Sequence, residues 1–105
     1  MLEIIDNDIS SLEEDSYHLL YFTASWCGPC KRIYPMIERL SDGFDEDDGK
    51  NIKIYKVDID QNDELSEKLK IKSVPTFFLY KQKEYISQCG GADIQNVKDL
   101  LMNVE

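Results

Sequence analysis

Cys27 and Cys30 stand two residues apart in TASWCGPCKRIYP, residues 23–35, with Gly28 and Pro29 between them. Thiols at that spacing can lock into a structural disulfide, supply half of a metal site, or open and close as a redox pair. One helical turn separates α-carbons by about 5–6 Å, which is inside the disulfide range. A helix N-terminus carries unpaired N–H groups and a partial positive charge, and both stabilise a thiolate. The lowered pKa makes the first thiol, Cys27, a nucleophile near neutral pH. Pro29 at the helix start has no N–H to lose and pre-sets the turn.

The two static readings are weaker. A structural disulfide here would close a very small loop, which gains little chain entropy. A zinc site needs four ligands, usually as two close pairs. Beyond the motif only Cys89 and His18 remain as candidates, and they are not paired in sequence. The redox pair is the preferred reading.

The elements that must position these thiols follow from hydrophobic spacing. Leu2–Ile5 is a short apolar run that suits a first strand, and Asp6–Asp8 offers caps for a weak helical stripe of Ile9 and Leu12. Residues 19–24 (LLYFTA) have the aromatic and β-branched content of a buried strand. That strand runs straight into the Cys-Gly-Pro-Cys turn. From Lys31 onward Ile33, Met36, Ile37 and Leu40 recur at helical spacing, with Pro35 inside the helix, where a kink is expected. Residues 42–50 (DGFDEDDGK) read as a solvated helix end and loop.

Residues 52–59 (IKIYKVDI) alternate as a strand with a phase slip near Val57. A short helix over 63–70, a buried strand over 74–80, a turn at 81–83, a hairpin partner over 84–89 and a last helix over 93–104 complete the chain. The order β-α-β-α-β-α-β-β-α implies a sheet covered on both faces, with a hairpin at its end. One domain spanning residues 1–105 is expected from this length.

Twelve basic against 21 acidic residues leave a net charge of −9. That balance disfavours nucleic acid or an anionic membrane as partner, since both call for basic surface. The first fifteen residues carry six acids and no Lys or Arg, so no signal peptide is expected. Three cysteines are too few for a disulfide framework. The expected location is the cytoplasm, and the expected state is a monomer without cofactor or metal.

With these elements in place the sequence resembles the thioredoxin family. WCGPCK at 26–31 matches the family's active-site signature, and the likeness continues through Pro35, KVDIDQN at 56–62, VPTFFLY at 74–80 and GGAD at 90–93. The resemblance implies an α/β thioredoxin fold, a central five-stranded mixed sheet flanked by four helices. It implies a protein-disulfide reductase that acts on disulfide-containing client proteins and is itself re-reduced by a thioredoxin reductase. By position, Cys27 attacks the client disulfide and Cys30 resolves the mixed disulfide. Trp26, Gly28, Pro29, Lys56 and Pro75 support the site, with Pro75 following a cis peptide bond. Trp26, Val74, Pro75, Thr76, Gly91 and Ala92 line the groove that receives the client.

Two positions depart from the family's pattern. A buried aspartate usually stands six residues before the first cysteine and handles the resolving thiol's proton; here that residue is Tyr21. A tryptophan usually stands four residues before; here it is Thr23. Lys56 matches the lysine that pairs with the aspartate and loses that partner. Asp58, two residues on along the same strand face, offers a substitute, although a solvated strand-end acid is the plainer reading. A phenol with a pKa near 10 is a poor base at neutral pH. Cys89 reads as a small residue of the last strand, and His18 as structural or solvent-facing. Two rival functions remain: an adaptor or chaperone using the same groove, and a disulfide oxidase or isomerase. An intact pair of thiols argues against the first, and Pro29 against the second.

Overall fold

In a computed structural model, which describes residues 3–4, 17–46, 52–81 and 84–102, five strands form one mixed sheet in the order β1-β3-β2-β4-β5. The strands are β1 (Glu3–Ile4), β2 (Tyr17–Thr23), β3 (Ile52–Asp58), β4 (Thr76–Lys81) and β5 (Glu84–Gly90). β1 and β2 run parallel to β3, β4 is antiparallel to β2, and β5 is antiparallel to β4. The described helices are α1 (Gly28–Glu46), α2 (Asp63–Lys68) and α3 (Ile94–Met102). The expected first helix, around Ile9 and Leu12, lies outside the described residues. No described helix is long and apolar enough to cross a membrane.

The phase slip expected in β3 is not a bulge. β3 is an inner strand with side chains buried on both faces. Ile52 and Ile54 pack with Leu19, Tyr21, Ile33, Ile37 and Phe77 on the face covered by α1 and α3. Tyr55 and Val57 pack with Leu20, Phe22, Leu65 and Phe78 on the other. Alternation shows up as apolar-polar only when one face is wet, so a strand dry on both sides reads as broken. On the α1 face the row Ile52, Ile54, Lys56, Asp58 turns polar toward the C-terminal end of the strand, beside the cysteines.

Several boundaries move. β2 starts earlier than expected, at Tyr17, and His18 is fully buried, so the solvent-facing option for it falls. Its Nδ1 lies 3.0 Å from the Tyr55 hydroxyl, which gives that buried nitrogen a hydrogen-bond partner. α1 begins at Gly28 and extends to Glu46, so Asp42 to Glu46 are helical where a helix end and loop were expected. Met36 does not share the core stripe: it is 46% exposed, whereas Ile33 and Ile37 are buried. Pro35 sits inside α1 as expected.

Burial raises the pKa of the Tyr21 and Tyr80 phenols, with Tyr34 and Tyr85 respectively adding a smaller upward push. For Tyr21 a side-chain hydrogen bond with Thr23 opposes part of the rise. A phenol whose folded pKa lies above its unfolded value of about 10 contributes stability that is complete below that pH. The contribution is lost as pH climbs toward and through the folded value. The melting temperature is therefore expected to drop above about pH 10. Tyr21→Phe should flatten that alkaline drop while lowering stability at pH 7 by about 1 kcal/mol, the typical worth of one hydrogen bond. Melting curves from pH 7 to 11 check this; parallel curves for the two proteins would contradict it.

Candidate active site

β2 ends at Thr23, and Ala24–Trp26 carry the chain into α1. The Cys27 N–H donates to the Ala24 carbonyl (3.2 Å), and the Cys27 carbonyl accepts the first helical bond from Lys31 (3.2 Å). Cys27 is thus the N-cap of α1, Gly28 and Pro29 its first two helical residues, and Cys30 the third. An N-cap side chain ordinarily accepts a hydrogen bond from the second or third helical N–H. Pro29 has no N–H, so the third position must supply it. The Cys30 N–H does so, at 3.2 Å from Cys27 Sγ. The sulfur takes the place of a capping oxygen, and the more negative it becomes the stronger that bond is.

Cys27 and Cys30 are joined as a disulfide with α-carbons 5.2 Å apart. Cys27 is less exposed than a helix-start position suggested, at 5%, but Cys30 beneath it is tighter still, at 1%. With Ala24 they form a small apolar cluster flanked by Ile59 and Val74. Cys27 Sγ lies 3.6 Å from the Val74 carbonyl oxygen.

The expected groove residues meet around that contact. The Val74–Pro75 peptide is cis, as the resemblance implied. Pro75 is buried, and its carbonyl accepts a bond from the Gly91 N–H at 3.0 Å. Gly91 has φ +90°, a backbone conformation open to glycine and strained for other residues, and among the described residues beyond its chain neighbours nothing lies within 4 Å of where a Cβ would stand. Ala92 is exposed beside it. Thr76 Oγ1 donates to the Ser73 carbonyl at 2.7 Å, which fixes the entry to β4. Trp26 is 65% exposed, so a core role is ruled out. Its indole N–H donates to Asp60 Oδ2 at 2.9 Å. Asp60 was not among the expected residues; the KVDIDQN stretch pointed at the segment without showing which acid would reach the indole.

Behind the cysteines, Tyr21 fills the place of the family's aspartate. Its ring is fully buried, stacked on Phe77 with centroids 5.1 Å apart, and its hydroxyl donates to the Cys30 carbonyl at 3.0 Å. Lys56 stands opposite Tyr21 in the register, with its ammonium 4.8 Å above the Tyr34 ring. A cation over an aromatic face is held by the ring quadrupole. Tyr34, the residue after Ile33 on α1, carried no signal beyond its type.

Comparison with known proteins agrees with this geometry. The thioredoxin family model matches residues 5–104. The chain belongs to the thioredoxin family. It is 39% identical over 84 residues to thioredoxin of Ictalurus punctatus, covering 80% of this chain and 76% of that one. Against thioredoxin-1 of Saccharomyces cerevisiae it is 32% identical over 92 residues, with 88% and 84% covered. In three dimensions it is similar to Plasmodium falciparum thioredoxin, with a TM-score of 0.87, 31% identity, and 99% and 100% of the two chains covered. As a thioredoxin family member it is a thiol-disulfide oxidoreductase that reduces protein disulfides through its Cys27–Cys30 pair.

Proposed function

We propose that Cys27 is the attacking thiol and Cys30 the resolving one, within a single monomeric domain that reduces client proteins in the cytoplasm and is returned to the dithiol by a thioredoxin reductase. The observation that carries the assignment is the hydrogen bond from the Cys30 N–H to Cys27 Sγ at the N-cap. It favours the anion on Cys27 and not on Cys30. Support for the groove comes from Val74, whose carbonyl already faces Cys27 Sγ, and from the open space at Gly91. An extended client strand beside Val74–Thr76 would bring its disulfide to Cys27, with Gly91 and Ala92 leaving room and Trp26 forming the rim. Gly28 and Pro29 set the cap geometry, and Lys56 supplies positive charge behind the pair.

The reaction is a two-electron exchange. Cys27 thiolate attacks one sulfur of the client disulfide; a Cys27–client disulfide forms and the other client sulfur leaves as a thiolate. Cys30 then attacks Cys27 Sγ, the Cys27–Cys30 bond forms, and the second client sulfur leaves. The client gains two electrons and the pair is oxidised.

Turnover separates this from an adaptor. With NADPH and a thioredoxin reductase, catalytic amounts of the protein should reduce insulin disulfides over many cycles. Stoichiometric client binding without turnover would overturn the proposal in favour of the groove-binding adaptor.

A further inference from the structure

A half-open cavity of about 390 Å³ lies behind the cysteine pair. Its walls include Cys30 and Tyr34 from α1, Tyr21 and Thr23 from β2, and Lys56 and Asp58 from β3. Thr23 and Asp58 are direct partners in the β2–β3 register, as are Tyr21 and Lys56. A tryptophan at position 23 would bring several more heavy atoms to this wall than threonine does. The cavity is large enough for several waters, and hydroxyls, an ammonium and a carboxylate offer the two to four polar partners each water needs. The resolving cysteine and a carboxylate-bearing residue therefore line one wettable chamber.

We propose that Asp58 is the proton acceptor for Cys30 in the resolving step, reached through water in this chamber. The inference rests on the assignment of Cys30 as the resolving thiol. The step balances as follows. The Cys30 S–H proton passes through water to the Asp58 carboxylate, and the Cys30 thiolate attacks Cys27 Sγ. The Cys27–client bond breaks, and the client thiolate takes up a proton from Asp58 or solvent.

The groups facing Asp58 fit this role. Lys56 on its own strand and Lys31 on α1 line the same chamber. Tyr21 and Tyr34 are the other titratable groups there besides Cys30, and burial raises the pKa of both phenols. Neither accepts a proton at neutral pH. One carboxylate oxygen of Asp58 is engaged with the Asp60 N–H at 2.9 Å, which orients the group and ties it to the loop that holds Trp26.

That bond dictates the test variant. Asp58→Asn keeps an oxygen for the Asp60 N–H but cannot accept a proton. Stopped-flow traces following Trp26 fluorescence, with a model disulfide, resolve attack by Cys27 from resolution by Cys30 between pH 6 and 9. Asp58→Asn should leave attack unchanged and slow resolution at pH 7 by about a hundredfold, the low end of what a positioned general base contributes. Its resolution rate should then climb about tenfold per pH unit, as expected when only free thiolate reacts. Asp58→Glu should restore most of the rate, and Tyr21→Asp placed in the Asp58→Asn background should restore it too. Resolution equal to the unaltered protein at every pH would overturn the inference while leaving the thiol assignment standing. Failure of the unaltered protein to pass through a Cys27 mixed disulfide would overturn both.

Discussion

Cys30→Ser is expected to stop the protein at the mixed disulfide, with client proteins covalently held on Cys27. Cys27→Ser is expected to hold none. The difference follows from the helix start. Cys27 Sγ is the N-cap acceptor of the Cys30 N–H, a backbone bond that survives replacement of the Cys30 side chain. The attacking thiolate thus keeps its stabilisation in Cys30→Ser, and only the second nucleophile is missing. In Cys27→Ser the remaining thiol is 1% exposed in the oxidised pair, with no backbone N–H seen on its sulfur among the described contacts. Both variants should lose turnover by roughly a thousandfold or more, the scale of removing a nucleophile. Non-reducing gels after incubation with a disulfide-bonded client check the trapping. Equal trapping by both variants would reverse or dissolve the assignment.

Tyr21→Asp should carry the largest loss of stability. The phenol ring fills core volume between Phe77 and Tyr34, and its hydroxyl caps the Cys30 carbonyl. Truncating a buried aromatic costs about 3–5 kcal/mol. Burying a carboxylate in its place adds a desolvation penalty, which Lys56, directly across the register, offsets in part. Against a total of about 5–15 kcal/mol, that is a large fraction of the fold's stability. A fall in melting temperature of roughly 15–30 °C is expected at pH 7. Resolution should gain little when Asp58 is present, since a proton acceptor already lines the chamber. Thermal melts and single-turnover rates measured on the same preparation check both parts. A Tyr21→Asp protein that melts unchanged would show that the ring does not hold this end of the core.

Much of this was legible in the residues themselves. WCGPCK gave the thiol pair and its helix, and apolar runs gave five strands in the right order. What periodicity could not give was which faces are dry. β3 looked irregular because Tyr55 and Val57 are buried opposite Ile52 and Ile54. Met36 looked like core because i, i+3, i+4 spacing sets a stripe's direction but not its width. Asp60 and Tyr34 reach their partners, Trp26 and Lys56, across 34 and 22 residues of sequence, a separation over which spacing carries no signal. The chamber behind Cys30 was visible only as two departures, Tyr21 and Thr23. Their consequence is one of volume and register, which emerge when β2, β3 and α1 are packed together.

The reduction potential of the Cys27–Cys30 pair tests the central claim most directly. Equilibration against a glutathione or dithiothreitol buffer series, read by thiol alkylation, gives the value. A protein-disulfide reductase of this family should lie near about −270 mV, the value of thioredoxin itself and so inherited from the family. A potential of about −120 to −180 mV, the range of dedicated oxidants and isomerases, would contradict the account.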